Sequence, residues 1–370
     1  MKRRDLLALS VSLCTGLLLP AGARAETGFE RYQRLQREGA ASIQQEWIQY
    51  RQAYLAAYKD YQNRLGRVWS RPELSDKKVW VEYDNRLQTR RVVDFEHNEV
   101  RLSFTGDDAA RLSEARIRAE FEKVVQASIR QSYQQDPLLN KVAGSQPPSS
   151  SQGVSGIRQA DIDALLRQAK QQQQNTSKGK VITVTIPLQA NALPARAHSY
   201  LPLVQSAATK WQISPALVMA IMQTESAFNP MAQSHVPAFG LMQIVPGSAG
   251  RDATKKVYGK ERLLSGAELF KPQTNIELGC AYLHILDRQY LNAVTDPQSR
   301  LYCVIAAYNT GAGNVARAFS GNTSVKDAAR RINAMSPKQV YAHLRTQLKY
   351  EETRNYVQKV TAALAQYQGQ

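Results

Sequence analysis

Three things are scarce in this sequence. Cysteine occurs only at positions 14, 280 and 303 of 370 residues, too few for a disulfide-stapled scaffold. Acidic residues number 31 against 48 basic ones, leaving a net charge of +17. Long apolar runs are nearly absent: mean hydropathy is −0.44, and the one extended stretch, Leu6 to Pro20, lies close to the N-terminus. A polytopic membrane protein is therefore excluded. Hydrophobic residues, including four Trp, 17 Tyr and eight Phe, make up 43% of the chain, which excludes a wholly disordered polymer. The length suits roughly two domains, each able to bury a core.

The N-terminus reads as an export leader. Lys2, Arg3 and Arg4 precede the apolar run, and Ala23-Arg24-Ala25 supplies a small-x-small cleavage site, so residues 1–25 are expected to be a removed signal peptide and the mature protein to be periplasmic. At about 15 residues the run is shorter than the roughly 20 a spanning helix needs. Arg3-Arg4-Asp5-Leu6-Leu7 also resembles a twin-arginine signal. Cys14 follows Leu13, where a lipoprotein signal carries a small residue, so Cys14 is read as discarded with the leader. Removal leaves Cys280 and Cys303 in an oxidising compartment, either as a disulfide or as two buried apolar thiols.

Charge is distributed unevenly. Residues 192–370 hold 19 basic and 10 acidic residues, whereas residues 26–141 hold 20 and 18. The C-terminal part thus carries a basic field suited to an anionic polymer. Export, together with the lack of a basic run with interleaved aromatics, argues against nucleic acid.

Periodicity divides the chain. Ile43, Trp47, Tyr50, Tyr54, Tyr58 and Tyr61 recur at steps of three or four, predicting one long amphipathic helix, or two, over 29–65. Strands are expected at 79–83, 91–95 and 100–104, with a helix over 107–133. These make a small α+β domain at 26–142. The stretch 143–156, with Pro147-Pro148 and Ser149-Ser150-Ser151, reads as flexible linker. A helix over 161–174 and a strand over 181–186 complete a connecting segment, 143–191, whose strand could join the N-terminal sheet. From 192 to 370 helices are expected at 197–211, 214–227, 273–291, 299–309, 312–319, 323–334, 337–345 and 350–367. The fold class is then α+β overall, a small α+β N-terminal domain followed by an all-α one.

One residue looks like chemistry. Ser214-Pro215 opens a helix whose buried face carries Leu217, Val218, Ile221 and Met222, and helical spacing sets Glu225 on the same stripe. Either the helix ends near Glu225 and lets it reach water, or apolar surroundings keep it protonated as a general acid requires. No metal-ligand spacing, Gly-rich phosphate loop or Ser/His/Asp set is present, so no cofactor and no metal are expected. Asn229 before Pro230 reads as a turn residue, and His235 has no assignable role.

Four motifs then follow in order. They are Glu225-Ser226 with Phe228-Asn229-Pro230, Gly240-Leu241-Met242-Gln243-Ile244, Ala307-Tyr308-Asn309 with Gly311 and Gly313, and Glu352-Thr353-Arg354-Asn355-Tyr356-Val357. With them the chain resembles the lytic transglycosylases with a goose-lysozyme-like fold, over about 192–364. The N-terminal α+β segment and the strand before Pro187 fit a membrane-bound type that is usually a lipoprotein, from which this leader departs in lacking a good lipobox.

The resemblance implies a lysozyme-like domain at 192–370 that cleaves peptidoglycan glycan strands between N-acetylmuramic acid (MurNAc) and N-acetylglucosamine (GlcNAc), forming 1,6-anhydro-MurNAc. It makes Glu225 the catalytic acid and base. Ser226 would hydrogen-bond beside it, Met242 and Gln243 would line the sugar cleft, Tyr308 and Asn309 would bind near the scissile linkage, and the Tyr356 hydroxyl would orient the Glu225 carboxyl. The N-terminal domain would engage a partner in the cell-wall machinery. Two other readings stay open: a hydrolytic muramidase in which Asp252 or another acid activates water, and a non-catalytic glycan-binding scaffold.

Overall fold

The computed structural model describes residues 28–139, 147–189 and 192–368; the leader expected at 1–25, and with it Cys14, lies outside them. The chain divides into two compact units between Ser42 and Ile43, and the packing described below is that of the second, from Ile43 onward. Among the described residues no helix is long and apolar enough to cross a membrane.

The molecule is α+β. A helix over Gly28–Gly66 leads into a five-stranded antiparallel sheet of order β1-β2-β3-β5-β4, with β1 Val79–Tyr83, β2 Thr89–Asp94, β3 Glu99–Thr105, β4 Lys170–Thr176 and β5 Gly179–Pro187. β5 pairs with β3, Leu102 opposite Val184 and Phe104 opposite Ile182. Strand alternation explains the fit: Ile182, Val184 and Ile186 are buried while Thr183 and Thr185 point the other way. The strand expected at 181–186 therefore does complete the sheet across the connecting segment.

Two sequence expectations are corrected here. The helix over 107–133 is three helices, Gly106–Ala110, Glu114–Gln126 and Ile129–Gln135; the Ser113 and Ser128 side chains accept hydrogen bonds from Arg116 N–H and Gln131 N–H at the second and third starts. The helix over 161–174 stops at Leu166, and the Gln-rich run becomes the exposed edge strand β4. Glutamine favours a helix locally. Gly179 at φ +102 closes a hairpin that offers this run the free edge of β5 instead, and pairing overrides propensity.

The helices expected beyond residue 192 form within a few residues of their places, from Ala192–Trp211 and Pro215–Ser226 through Pro272–Ile285 and Pro297–Thr310 to Glu351–Gln368. Ala249–Tyr258 is a further helix that the periodicity did not signal. Pro215–Ser226 packs against both Ala192–Trp211 and Glu351–Gln368, and Pro297–Thr310 packs on the latter, which gathers the motif-bearing helices at one place.

The N-terminal helix packs into this region. Tyr54, 1% exposed, meets Phe239 edge-on at 6.0 Å between ring centroids, and a Cβ on Gly247 would clash with the Trp47 ring at 2.3–2.5 Å.

Cys280 and Cys303 are both free and fully buried, so the possible disulfide is not formed. The Cys280 helix, Pro272–Ile285, packs chiefly on Ala192–Trp211 and Ala249–Tyr258 rather than on the Cys303 helix. Burial pushes both thiols up to about 12, suppressing the thiolate that oxidation needs. Alkylation of denatured, unreduced protein followed by peptide mapping is expected to find the reagent on both cysteines. A bridged peptide would contradict this.

Candidate active site

Helix Pro215–Ser226 is apolar nearly all round, with Leu217 through Met222 buried, as a helix enclosed by neighbours must be. Pro215 holds the first helical position, though the Ser214 side chain makes no capping bond. At the other end Ala227 (φ 48) and Phe228 (φ 63) adopt consecutive left-handed conformations. Each costs a non-glycine residue on the order of 1–3 kcal/mol and persists only where surroundings enforce it. Phe228 is fully buried and stacked on Tyr200, and Asn229 N–H donates to Ser226 C=O at 2.9 Å. This turn halts the helix with Glu225 in its last turn, facing inward.

Glu225 is 5% exposed. Burial raises its pKa above the ordinary carboxylate range, opposed by the Lys77 ammonium and the Tyr356 hydroxyl and reinforced by the Glu352 charge. The negative end of the helix dipole also disfavours the ionised form here. Lys77 Nζ lies 3.7 Å from Glu225 Oε2 and 3.5 Å from Glu352 Oε1. Tyr356 Oη is buried beside the carboxyl, yet forms no hydrogen bond of regular geometry with any described group. Tyr308 also lies within the field of Glu225. Of the two arrangements the sequence left open, the enclosed one is found.

The other candidates occupy more structural positions than the resemblance implies. Ser226 is fully buried, its hydroxyl 3.0 Å from Met222 C=O and 2.8 Å from Leu241 C=O. It ties the Glu225 helix to the Gly-Leu-Met-Gln loop and makes no hydrogen bond to the carboxyl. Met242 is fully buried; its N–H donates to Asn275 Oδ1 at 2.8 Å, and its C=O accepts from Tyr308 Oη at 2.8 Å. Gly279 makes room for the Met242 side chain, which a Cβ there would strike.

Gln243, itself at φ 50, donates from Nε2 to Ala232 C=O and Gly240 C=O, while Oε1 is buried with no partner among the described residues. Asn309 Oδ1 accepts from Thr353 Oγ1 at 2.7 Å, linking the Ala-Tyr-Asn helix to the last helix. Asn229 is the turn residue expected, its Oδ1 accepting from Met231 N–H at 2.9 Å. Glu225, Tyr308 and Tyr356 come together, while Ser226, Met242, Gln243 and Asn309 hold the loop and helices around them.

Asp252 lies elsewhere. It sits on Ala249–Tyr258, accepts from Tyr290 Oη at 3.0 Å, and is influenced by Glu261, Arg251 and Lys255. The second carboxylate beside Glu225 is Glu352, held through Lys77.

Sequence reasoning missed Lys77. It precedes β1 within Asp76-Lys77-Lys78, about 150 positions before Glu225, and nothing local distinguishes it from a solvated lysine. Its loop is pinned by backbone groups, Lys77 C=O accepting from Asn229 Nδ2 at 3.4 Å and Asp76 C=O from Gln233 N–H at 3.3 Å. A cavity of about 470 Å³ opens beside it, lined in part by Tyr58, Asp94, His97, His235 and Lys359.

The site thus gathers an inward-facing glutamate at a strained helix end, two buried tyrosine hydroxyls and a glycine-turned loop. Residues 202–330 match the family described as "Transglycosylase SLT domain". The chain is 34% identical over 339 residues to the membrane-bound lytic murein transglycosylase C of Klebsiella pneumoniae, covering 88% of this chain and 92% of that one. It is 37% identical over 321 residues to the protein of the same name from Pectobacterium atrosepticum, covering 83% and 88%. The chain belongs to the lytic murein transglycosylase family. Among solved structures, the 70 kDa soluble lytic transglycosylase of Escherichia coli is 30% identical, with a TM-score of 0.35, over 46% of this chain and 24% of that one.

Proposed function

We propose that this lytic transglycosylase cleaves the β-1,4 bond between MurNAc and GlcNAc in peptidoglycan, with Glu225 acting first as general acid and then as general base. The observation that carries the reading is the buried Glu225 carboxyl, kept above the usual carboxylate range by its surroundings and so available in the protonated form. Glu225 gives its proton to the bridging oxygen as the MurNAc C1–O bond breaks, and the 2-acetamido group stabilises the cationic sugar. The carboxylate then takes the proton of the C6 hydroxyl as O6 closes on C1, which returns Glu225 to its acid form. Ring closure from within one sugar has a large effective-molarity advantage over water.

Residues 192–370 are the lysozyme-like, all-α catalytic domain in this reading, and residues 26–142 the N-terminal α+β domain, which sets location or partner choice. Tyr356 orients the carboxyl and Tyr308 lies near the scissile linkage, while Asn309 holds the Ala-Tyr-Asn helix to the last helix through Thr353. The basic excess of the C-terminal part suits a polymer bearing lactyl and peptide carboxylates. The relatives from Klebsiella pneumoniae and Pectobacterium atrosepticum are named membrane-bound, which supports an envelope location; the leader supports export to the periplasm with cleavage near Ala25.

The mass of the sugar product tests the reaction. Digestion of purified sacculi is expected to yield 1,6-anhydro-MurNAc ends, about 18 mass units lighter than hydrolysis products because no water is added. Reducing MurNAc as the main product would defeat the reading. The muramidase alternative needs a second acid to activate water, and for Asp252 the engagement with Tyr290 argues against that role. Asp252→Asn is accordingly expected to change turnover by no more than about twofold, against the orders of magnitude that loss of a second catalytic carboxylate brings.

A further inference from the structure

We propose that Lys77, contributed from the segment before β1, is a positioning residue for Glu225, serving as the counter-ion of its carboxylate in the half of the cycle when that carboxylate is ionised. The inference rests on the assignment of Glu225 as acid and base. Once Glu225 has given up its proton, a negative charge sits in a site 5% exposed to water. Such a charge needs a partner. The groups that face it are Tyr308 on Pro297–Thr310, Tyr356 and Glu352 on Glu351–Gln368, and Lys77. Lys77 is the cation among them, 3.7 Å from Oε2.

Geometry separates this from an incidental surface pair. The loop is held by backbone carbonyls, Lys77 C=O on Asn229 and Asp76 C=O on Gln233, and Asn229 and Gln233 stand just beyond the turn that ends the Glu225 helix. The same short stretch thus determines where the carboxyl and the ammonium lie. Glu352 Oε1, on a side chain 74% exposed, is a second ion-pair partner of the ammonium at 3.5 Å. Lys77 Nζ is within ion-pair distance of both carboxylates, so the one ammonium serves Glu225 and Glu352 together. In this role Lys77 acts by electrostatics rather than by proton transfer.

Because the side chain does not anchor the loop, replacing it leaves the fold in place. In the full chain, Lys77→Met is expected to lower kcat roughly tenfold or more, a part of the 10²- to 10⁴-fold that general acid-base catalysis supplies, with KM nearly unchanged. The sign for pH follows from charge: without the ammonium the Glu225 carboxylate is less stable, so the alkaline limb of the kcat/KM profile moves to higher pH. Lys77→Arg, which keeps the charge, is expected to restore most of kcat and the original limb. If the Met variant melts early, Lys77→Gln is measured by the same profile. Wild-type kcat with an unmoved limb in a folded Lys77 variant would overturn the inference while Glu225→Gln remained inactive. Activity in Glu225→Gln itself would instead sink the assignment of Glu225.

Discussion

Glu225→Gln is expected to cut turnover by roughly 10²- to 10⁴-fold, toward the upper end because one group performs both proton transfers. The amide keeps the shape of the side chain and fills the same enclosed space, so glycan binding and thermal stability should change little. Release of soluble muropeptides from sacculi measures the first, and co-sedimentation with sacculi the second. In the unaltered protein, kcat/KM is expected to fall as pH rises through the elevated pKa of Glu225, because bond cleavage requires the acid form; burial raises that pKa and Lys77 and Tyr356 restrain it. The fall should be absent from whatever residual activity the Gln variant keeps. Near-normal turnover in that variant would remove the basis for every role assigned here.

Tyr54→Ala is expected to destabilise the protein by about 3–5 kcal/mol, the usual range for deleting a large buried aromatic. The ring is 1% exposed and packs on Phe239, which in turn meets Phe270 at 5.5 Å between centroids. Tyr54 Oη donates to Gln233 Oε1 at 3.3 Å, and Gln233 holds both Asp76 C=O through its N–H and Asp136 Oδ2 through Nε2 at 3.0 Å. Asp136 is half-buried, and desolvation raises its pKa, so loosening this chain leaves polar groups poorly satisfied. The same chain pins the Lys77 loop, and turnover is therefore expected to fall with stability. Thermal unfolding and muropeptide release on one preparation test both. Tyr54→Phe separates the contributions: it keeps the ring and should cost only about 1 kcal/mol, the share of one hydrogen bond. An unchanged midpoint for the Ala variant would show that the packing of the N-terminal helix on Phe239 contributes little.

Legibility followed range. Glu225 stood out because a carboxyl on the apolar stripe of a short helix is anomalous at the scale of one turn, and the tyrosine and glycine motifs around it are contiguous in sequence. Alternation over 181–186 betrayed β5, since period two survives without knowledge of the partner strand. The run Gln171 to Gln174 carried no such signal; its strand exists because β5 presents a free edge.

Ser226, Met242 and Gln243 could be named from their motif, but not their work. Whether a polar side chain meets substrate or a carbonyl depends on what else crowds the loop. Leu241 C=O and Ala232 C=O take the Ser226 hydroxyl and the Gln243 amide. The two cysteines were visible as a pair and went unbridged because the packing of their helices is a property of neither segment alone.

Chain order and composition by themselves determined the export leader reading, the α+β class, the apolar helix bearing Glu225 and the family's four motifs, since each depends on residues within a few turns of one another. Tertiary structure alone decided what surrounds the Glu225 carboxyl. Lys77 and Glu352 reach it from positions about 150 residues before and 130 residues after. The pKa of a buried acid is the balance between desolvation and the charges packed against it, and that balance exists only once distant segments have met.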